Sequence, residues 1–98
     1  NGADGIVFVV DSQAEKFEEN VQSIAELDMH MRRIGKDMST FPVILQWNKR
    51  DMPNVLPVAV LERYLNRRRV PSFEAVASAG KGVFATLRAI SKSVIAQL

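Results

Sequence analysis

Two nearly unbroken apolar runs, Ile6–Val10 and Pro42–Trp47, constrain this chain more than anything else in it. Neither alternates apolar with polar residues, as a strand with one wet face would. A β-branched and aromatic run of five or six residues predicts a strand covered on both faces, and such strands belong to parallel sheets flanked by helices. Parallel neighbours need a long crossover between them, and the 31 residues from 11 to 41 are enough for a helix.

The intervening segments supply the helices. Ser12 and Glu15 have capping-box spacing for a helix start. Phe17, Val21, Ile24, Leu27, Met31 and Ile34 recur at intervals of three and four, an amphipathic helix that Gly35 can stop. Asp51-Met52-Pro53-Asn54 reads as a loop. Pro57 suits a helical first turn, and Val58, Leu61 and Leu65 form the stripe of a short helix ending near Asn66. Pro71 precedes a third short strand, Ser72 to Ala77. Gly80-Lys81-Gly82 is a turn, and Val83, Leu87, Ile90, Val94 and Leu98 mark one face of a last helix. The expected fold class is α/β, with three parallel strands alternating with three helices. Right-handed crossovers put the first two helices on one face and leave the other to the last.

Composition narrows the function classes. With 98 residues, 47% hydrophobic and 24% charged, the chain is one small domain or a piece of a larger one. A net charge of +2 is too small to argue for nucleic acid or an anionic membrane as a partner, and no nucleic acid is expected. Without cysteine there is no disulfide, thiolate nucleophile or thiolate metal site, which accords with a cytoplasmic location. No apolar run reaches the length of a membrane span. The chain begins at Asn1 rather than Met, as expected of a fragment, a processed chain or an incomplete reading frame.

The second apolar run leads directly into Asn48-Lys49-Arg50-Asp51. A carboxylate at the end of a strand can accept two hydrogen bonds, from the ring N–H and the exocyclic amine of guanine. Adenine has an acceptor and no amine there, so a buried carboxylate rejects it. The Asn amide serves the base edge or ties the loop to its neighbours, and the Lys stem lies along the base face. The same residues are also common in polar turns. Ligands in open parallel sheets bind beyond the carboxyl ends of the strands. Asp11-Ser12, Asn48–Asp51 and Ser78-Ala79-Gly80 all follow strands and are expected at that one edge.

Ala77-Ser78-Ala79-Gly80-Lys81-Gly82-Val83 resembles the second guanine-contacting loop of small GTPases. The wording is most similar to the bacterial gliding-motility branch of Ras-like GTPases, the mutual gliding protein A family. The likeness covers Asp4–Ser12, Asn48–Pro53, Phe73–Ala77 and Gly82–Leu87, in order, along essentially the whole chain. It implies a guanine nucleotide, GTP or GDP, contacted through Asn48, Lys49, Asp51, Ser78 and Ala79. The amide after the Ser would donate to the guanine carbonyl oxygen, and the Ser would orient Asp51. It further implies regulatory and effector partners for a switch in cell polarity or motility.

The resemblance reaches only the C-terminal half of such a domain, taken as residues 1–98: its last three strands and helices. No Gly-x-x-x-x-Gly-Lys-Ser/Thr phosphate loop occurs in these residues, nor a recognisable switch Thr or Asp-x-x-Gly. Mg²⁺ is accordingly expected only in an intact protein, and these residues alone should not hydrolyse GTP. Ile6–Val10 should lie at an open sheet edge, with self-association through it. The alternative is an α/β protein-interaction module that has kept the scaffold and lost nucleotide. His30 reads as a surface residue and Met29, Met31, Met38 and Met52 as gap-fillers. Arg63 with Arg67-Arg68-Arg69, the densest basic patch, reads as a solvated helix end or a contact for an acidic partner or lipid headgroup. Trp47 is expected to pack inward beside the base loop.

Overall fold

The computed structural model describes residues 4–36 and 40–97. Met38 and Leu98, singled out above, lie outside them. Three strands, β1 (Ile6–Asp11), β2 (Val43–Asn48) and β3 (Ser72–Glu74), form one parallel sheet in the order β1-β2-β3. Three helices alternate with them: α1 (Phe17–Arg33), α2 (Val58–Leu65) and α3 (Val83–Gln97). The α/β alternation read from the apolar runs is the one observed.

Register explains why the polar loops meet. Ile6 pairs with Val43, Val10 with Trp47 and Asp11 with Asn48, while Trp47 pairs with Glu74 on the other side. The carboxyl ends of all three strands are therefore level. The loops that follow them emerge side by side.

β2 is the centre of the core, with Val43 through Trp47 all buried. Its pleat sends alternate side chains to opposite faces. On one face Leu45 and Trp47 join Val10, Leu61 and Leu65, with Phe17, Ile24 and Val58 packed around them, so α1 and α2 share this side. Met31 and Val43 form a second cluster toward the amino ends of the strands. On the opposite face Gln46 Nε2 donates to Thr86 Oγ1 of α3 at 2.9 Å, and Thr86 Oγ1 in turn donates to the Gly82 carbonyl at 2.7 Å. That pair satisfies two buried polar groups and anchors α3 over the sheet. Gly5 lets α3 approach β1: a Cβ there would come within 2.9 Å of Val94 Cγ2 and 3.0 Å of Ile90 Cδ1.

Trp47 packs inward, as its run predicts, and its polar tip is satisfied. Nε1 donates to Glu62 Oε2 of α2 at 3.2 Å, and the Ser72 hydroxyl donates to the same oxygen. Glu62 Oε1 accepts from Asn66 Nδ2 at 2.7 Å, and the Asn66 side chain bonds both the N–H and the C=O of Val70. One carboxylate thus links β2, α2 and the approach to β3.

Two expectations are corrected. The capping box does not form: Ser12 is fully buried and its hydroxyl has no partner among the described residues, while Asp11 Oδ1 accepts the Gln13 N–H at 3.0 Å. A single 3₁₀ turn, Ala14–Lys16, precedes α1, and Glu15 accepts from Asn54 instead. The backbone of Ser12 is held on both sides, its N–H to the Asn48 carbonyl and its C=O by the Leu56 N–H, which fixes the side chain inward. The third strand stops at Glu74 rather than Ala77. Val76 leaves the sheet to exchange two hydrogen bonds with Lys81.

Candidate functional site

The carboxyl edge of the sheet carries the residues singled out from sequence. Asn48 ends β2, and Lys49 then adopts φ 62°, a left-handed conformation uncommon for a residue with a Cβ. This turn reverses the chain within one residue, and Met52 N–H closes it on the Lys49 carbonyl at 3.1 Å. A strained residue directly after a strand, in a polar loop, is held there by its surroundings. The restraint is visible. Lys49 Nζ pairs with Asp11 Oδ2 at 3.1 Å, across the top of β1.

Arg50 is the clamp of the loop. Its N–H reaches the Ala75 carbonyl at 3.2 Å, Nη1 reaches the Leu56 carbonyl at 2.6 Å, and Nε pairs with Glu74 at 3.2 Å. One side chain therefore binds the start of the loop to its end and to β3. Sequence reasoning assigned Arg50 nothing. The only available signal was a cation flanked by strand ends that must be held together.

Asp51, next in line, is exposed and carries no hydrogen bond or ion pair among the described residues. Its carboxylate is left open to an external donor.

The second loop is a closed four-residue turn. Val76 and Lys81 bridge it by N–H to C=O bonds of 3.0 and 3.1 Å, and Ala77–Ala79 forms a 3₁₀ turn that Gly80 ends at φ 76°. Gly82 is required just beyond: at φ 78° a Cβ would fall 2.1 Å from the Glu74 carbonyl oxygen. Asn48 Oδ1 accepts the Ala77 N–H at 2.9 Å, so the first loop holds the second directly. Asn48, Lys49 and the Ser78-Ala79 turn are brought to one edge. Ser78 is exposed and, among the described residues, makes no hydrogen bond to Asp51. The Ala79 N–H donates to the Val76 carbonyl at 2.9 Å, within its own turn. Among the described residues no three His, Cys, Asp or Glu side chains gather to hold a metal ion.

The rest of the edge is stitched as well. Asn54 C=O accepts the Ala14 N–H at 2.9 Å, and Gln13 and Val55 form an isolated antiparallel bridge. The loop after β1 and the loop after β2 thus form one continuous surface. His30 is exposed. Among the basic patch, Arg68 pairs with Asp28 of α1 at 3.0 Å, while Arg63 lies over the Tyr64 ring.

No family model matches the chain. It is 43% identical over 97 residues, 99% of its length, to the mutual gliding-motility protein MglA of Myxococcus xanthus, of which it spans 50%. It is 37% identical over 68 residues to ADP-ribosylation factor-like protein 4D from Bos taurus and from Homo sapiens, spanning 32% and 31% of those proteins. The chain thus spans about half or less of the length of the curated relatives it matches. No helix among the described residues is long and apolar enough to cross a membrane. A 43% identical alignment with MglA along 99% of this chain, on a sheet of three parallel strands covered by helices, places the chain with the Ras-like small GTPases in the MglA branch.

Proposed function

We propose that these residues are the C-terminal, base-reading half of a Ras-like GTPase switch that cycles between GTP and GDP. The observation that supports this most is the bond from Ala77 N–H to Asn48 Oδ1, because it fastens the loop bearing Asp51 to the loop bearing Ser78 and Ala79. Asp51 would accept the ring N–H and exocyclic amine of guanine. Lys49, already extended across the edge toward Asp11, would flank the base, and Ser78 and Ala79 would meet its carbonyl side. Phosphates and Mg²⁺ belong to parts of an intact switch outside the motifs found here. Regulators and effectors in polarity or motility follow from the same proposal.

A second reading rests on a specific observation. The Ala79 amide is already donating to Val76, so guanine must share or displace that bond. A protein-interaction module that kept this scaffold without nucleotide would leave the bond undisturbed.

The test is made in an intact parent protein carrying these residues. Asp51→Asn replaces an acceptor pair with an amide that suits the second carbonyl of xanthine, so preference should move from GTP to XTP by at least about tenfold. An unchanged ratio of affinities would remove Asp51 from the base site. No binding of either nucleotide by the unmodified protein would favour the interaction module.

A further inference from the structure

Away from the carboxyl edge, the face shared by α1 and α2 holds an open groove of about 790 Å³. None of its lining residues belongs to the base-reading loops. Phe8, Leu45 and Val43 form its floor, Val21 and Ile24 one wall, and Leu65 the other. The volume lies within the range of small-molecule sites, roughly 300–1,000 Å³. Such sites combine apolar walls with a few polar groups that orient the occupant, and the polar groups here are informative.

The side chain of Asn66 is spent on Glu62 and Val70. Asp28 is neutralised twice, by Arg32 and by Arg68, each at 3.0 Å. Arg67 also lines the groove, is exposed, and has no hydrogen bond or ion pair among the described residues. Arg63 and Arg69 lie within four residues of it in the sequence, so the surrounding chain carries no compensating acid but Glu62, which is engaged with Trp47, Ser72 and Asn66. The one acid on the lining is therefore already compensated, and the uncompensated charge at the mouth is positive. A cationic occupant would meet a guanidinium, and a neutral one would leave it unused.

We propose that the groove is a binding site for a single-chain amphiphilic anion, its alkyl tail between α1 and α2 and its carboxylate at Arg67. The aliphatic and aromatic walls take the tail without a polar partner. A guanidinium is suited to a carboxylate because its N–H groups can donate two parallel bonds to the two oxygens. The site assigns a binding role to the basic patch that the base-reading loops do not use.

The experiment titrates the full chain with dodecanoate below its micellar concentration, following the methyl resonances of Ile24, Leu45 and Leu65. Dodecyltrimethylammonium and dodecanol are run alongside. Saturable shifts confined to those methyls, with dodecanoate at least about tenfold tighter than either other amphiphile, are expected. Arg67→Glu should weaken dodecanoate by about the same factor, while Arg88→Glu on α3 leaves it unchanged. Val21→Glu, at an exposed position on the wall, should abolish binding with the helical circular dichroism intact. Equal affinity for the three head groups would overturn the proposal, as would shifts at Leu87 and Ile95 in place of the groove, or equal effects of Arg67→Glu and Arg88→Glu. Capture by anionic vesicles without binding of monomeric dodecanoate would also overturn it.

Discussion

Asn48 Oδ1 accepts the backbone N–H of Ala77 at 2.9 Å, and this bond spans 29 residues of sequence to join two loops at one sheet edge. It converts a side chain that could have served a ligand into a strut. Asn48 builds the edge and Arg50 clamps it, while Asp51 is exposed with no hydrogen bond or ion pair among the described residues.

Affinity should divide along the same line. Phosphate contacts and Mg²⁺ supply most of the binding free energy of nucleotides in sites of this type, and a base edge alone buries few hydrogen bonds. Calorimetry on these residues by themselves is expected to show GDP binding no tighter than about millimolar. Micromolar, Mg²⁺-dependent binding would contradict this.

Gly82 and Gly80 offer a paired test of the second loop. Both have positive φ, but a Cβ on Gly82 meets the Glu74 carbonyl oxygen at 2.1 Å, whereas one on Gly80 meets nothing within 4 Å. Gly80→Ala should cost about 1–2 kcal/mol, the strain of a left-handed residue alone. Gly82→Ala should cost clearly more, because the backbone of β3 must move. Urea unfolding of both variants decides it, and equal costs would mean that the approach of α3 to Glu74 is not fixed.

Trp47 supplies its own reporter for the Glu62 network. Glu62→Ala removes the acceptor shared by Trp47 Nε1 and the Ser72 hydroxyl. A loss of about 1–3 kcal/mol is expected, with a red-shifted Trp emission as water enters. Glu62→Gln keeps an acceptor oxygen and should lose less. If the two substitutions are equivalent, the carboxylate contributes through packing alone.

The open side of β1 makes a prediction about assembly. In a parallel ladder alternate residues bond to each side. Ile6 and Ser12 donate toward β2, so Val7 and Val9 turn their N–H and C=O groups outward, and Val9 is 53% exposed. On α3, Phe84 and Ile95 are 69% and 68% exposed and Leu87 is 53% exposed. Unpaired apolar edges recruit partners. Sedimentation at micromolar concentration is expected to show self-association that Val9→Lys reduces. A monomer whose Val7 and Val9 amides are strongly protected from exchange would contradict it.

The fold was legible where pattern and environment agree. Ile6–Val10, the Phe17–Ile34 stripe, the Pro42–Trp47 run and the Pro57 helix start each depend on local periodicity and burial, and each element lies within a residue or two of its expected place. What could not be read depends on distant partners. Ser12 has the spacing of a helix cap, yet Asn48 and Leu56 hold its backbone, and that competition is invisible along the chain. Val76 continues a strand pattern, but Lys81 draws it away. The cluster at the sheet edge was expected from three loops that each follow a strand. Arg50 was missed because its carbonyl partner Leu56 and its carboxylate partner Glu74 are recognisable only in three dimensions.

The pairing of Ile6 with Val43 also sets the order in which the molecule can assemble. No hairpin brings β1 to β2; the intervening chain must be gathered first, and the entropy of that closure is lost before the first interstrand bond forms. Chains dominated by such distant pairings fold slowly for their size. α1 lies wholly within the closing segment, so a turn of nascent helix shortens the distance to be searched. The rate at which Trp47 becomes buried should therefore respond to helix propensity at exposed α1 positions such as Ser23, far from the tryptophan itself.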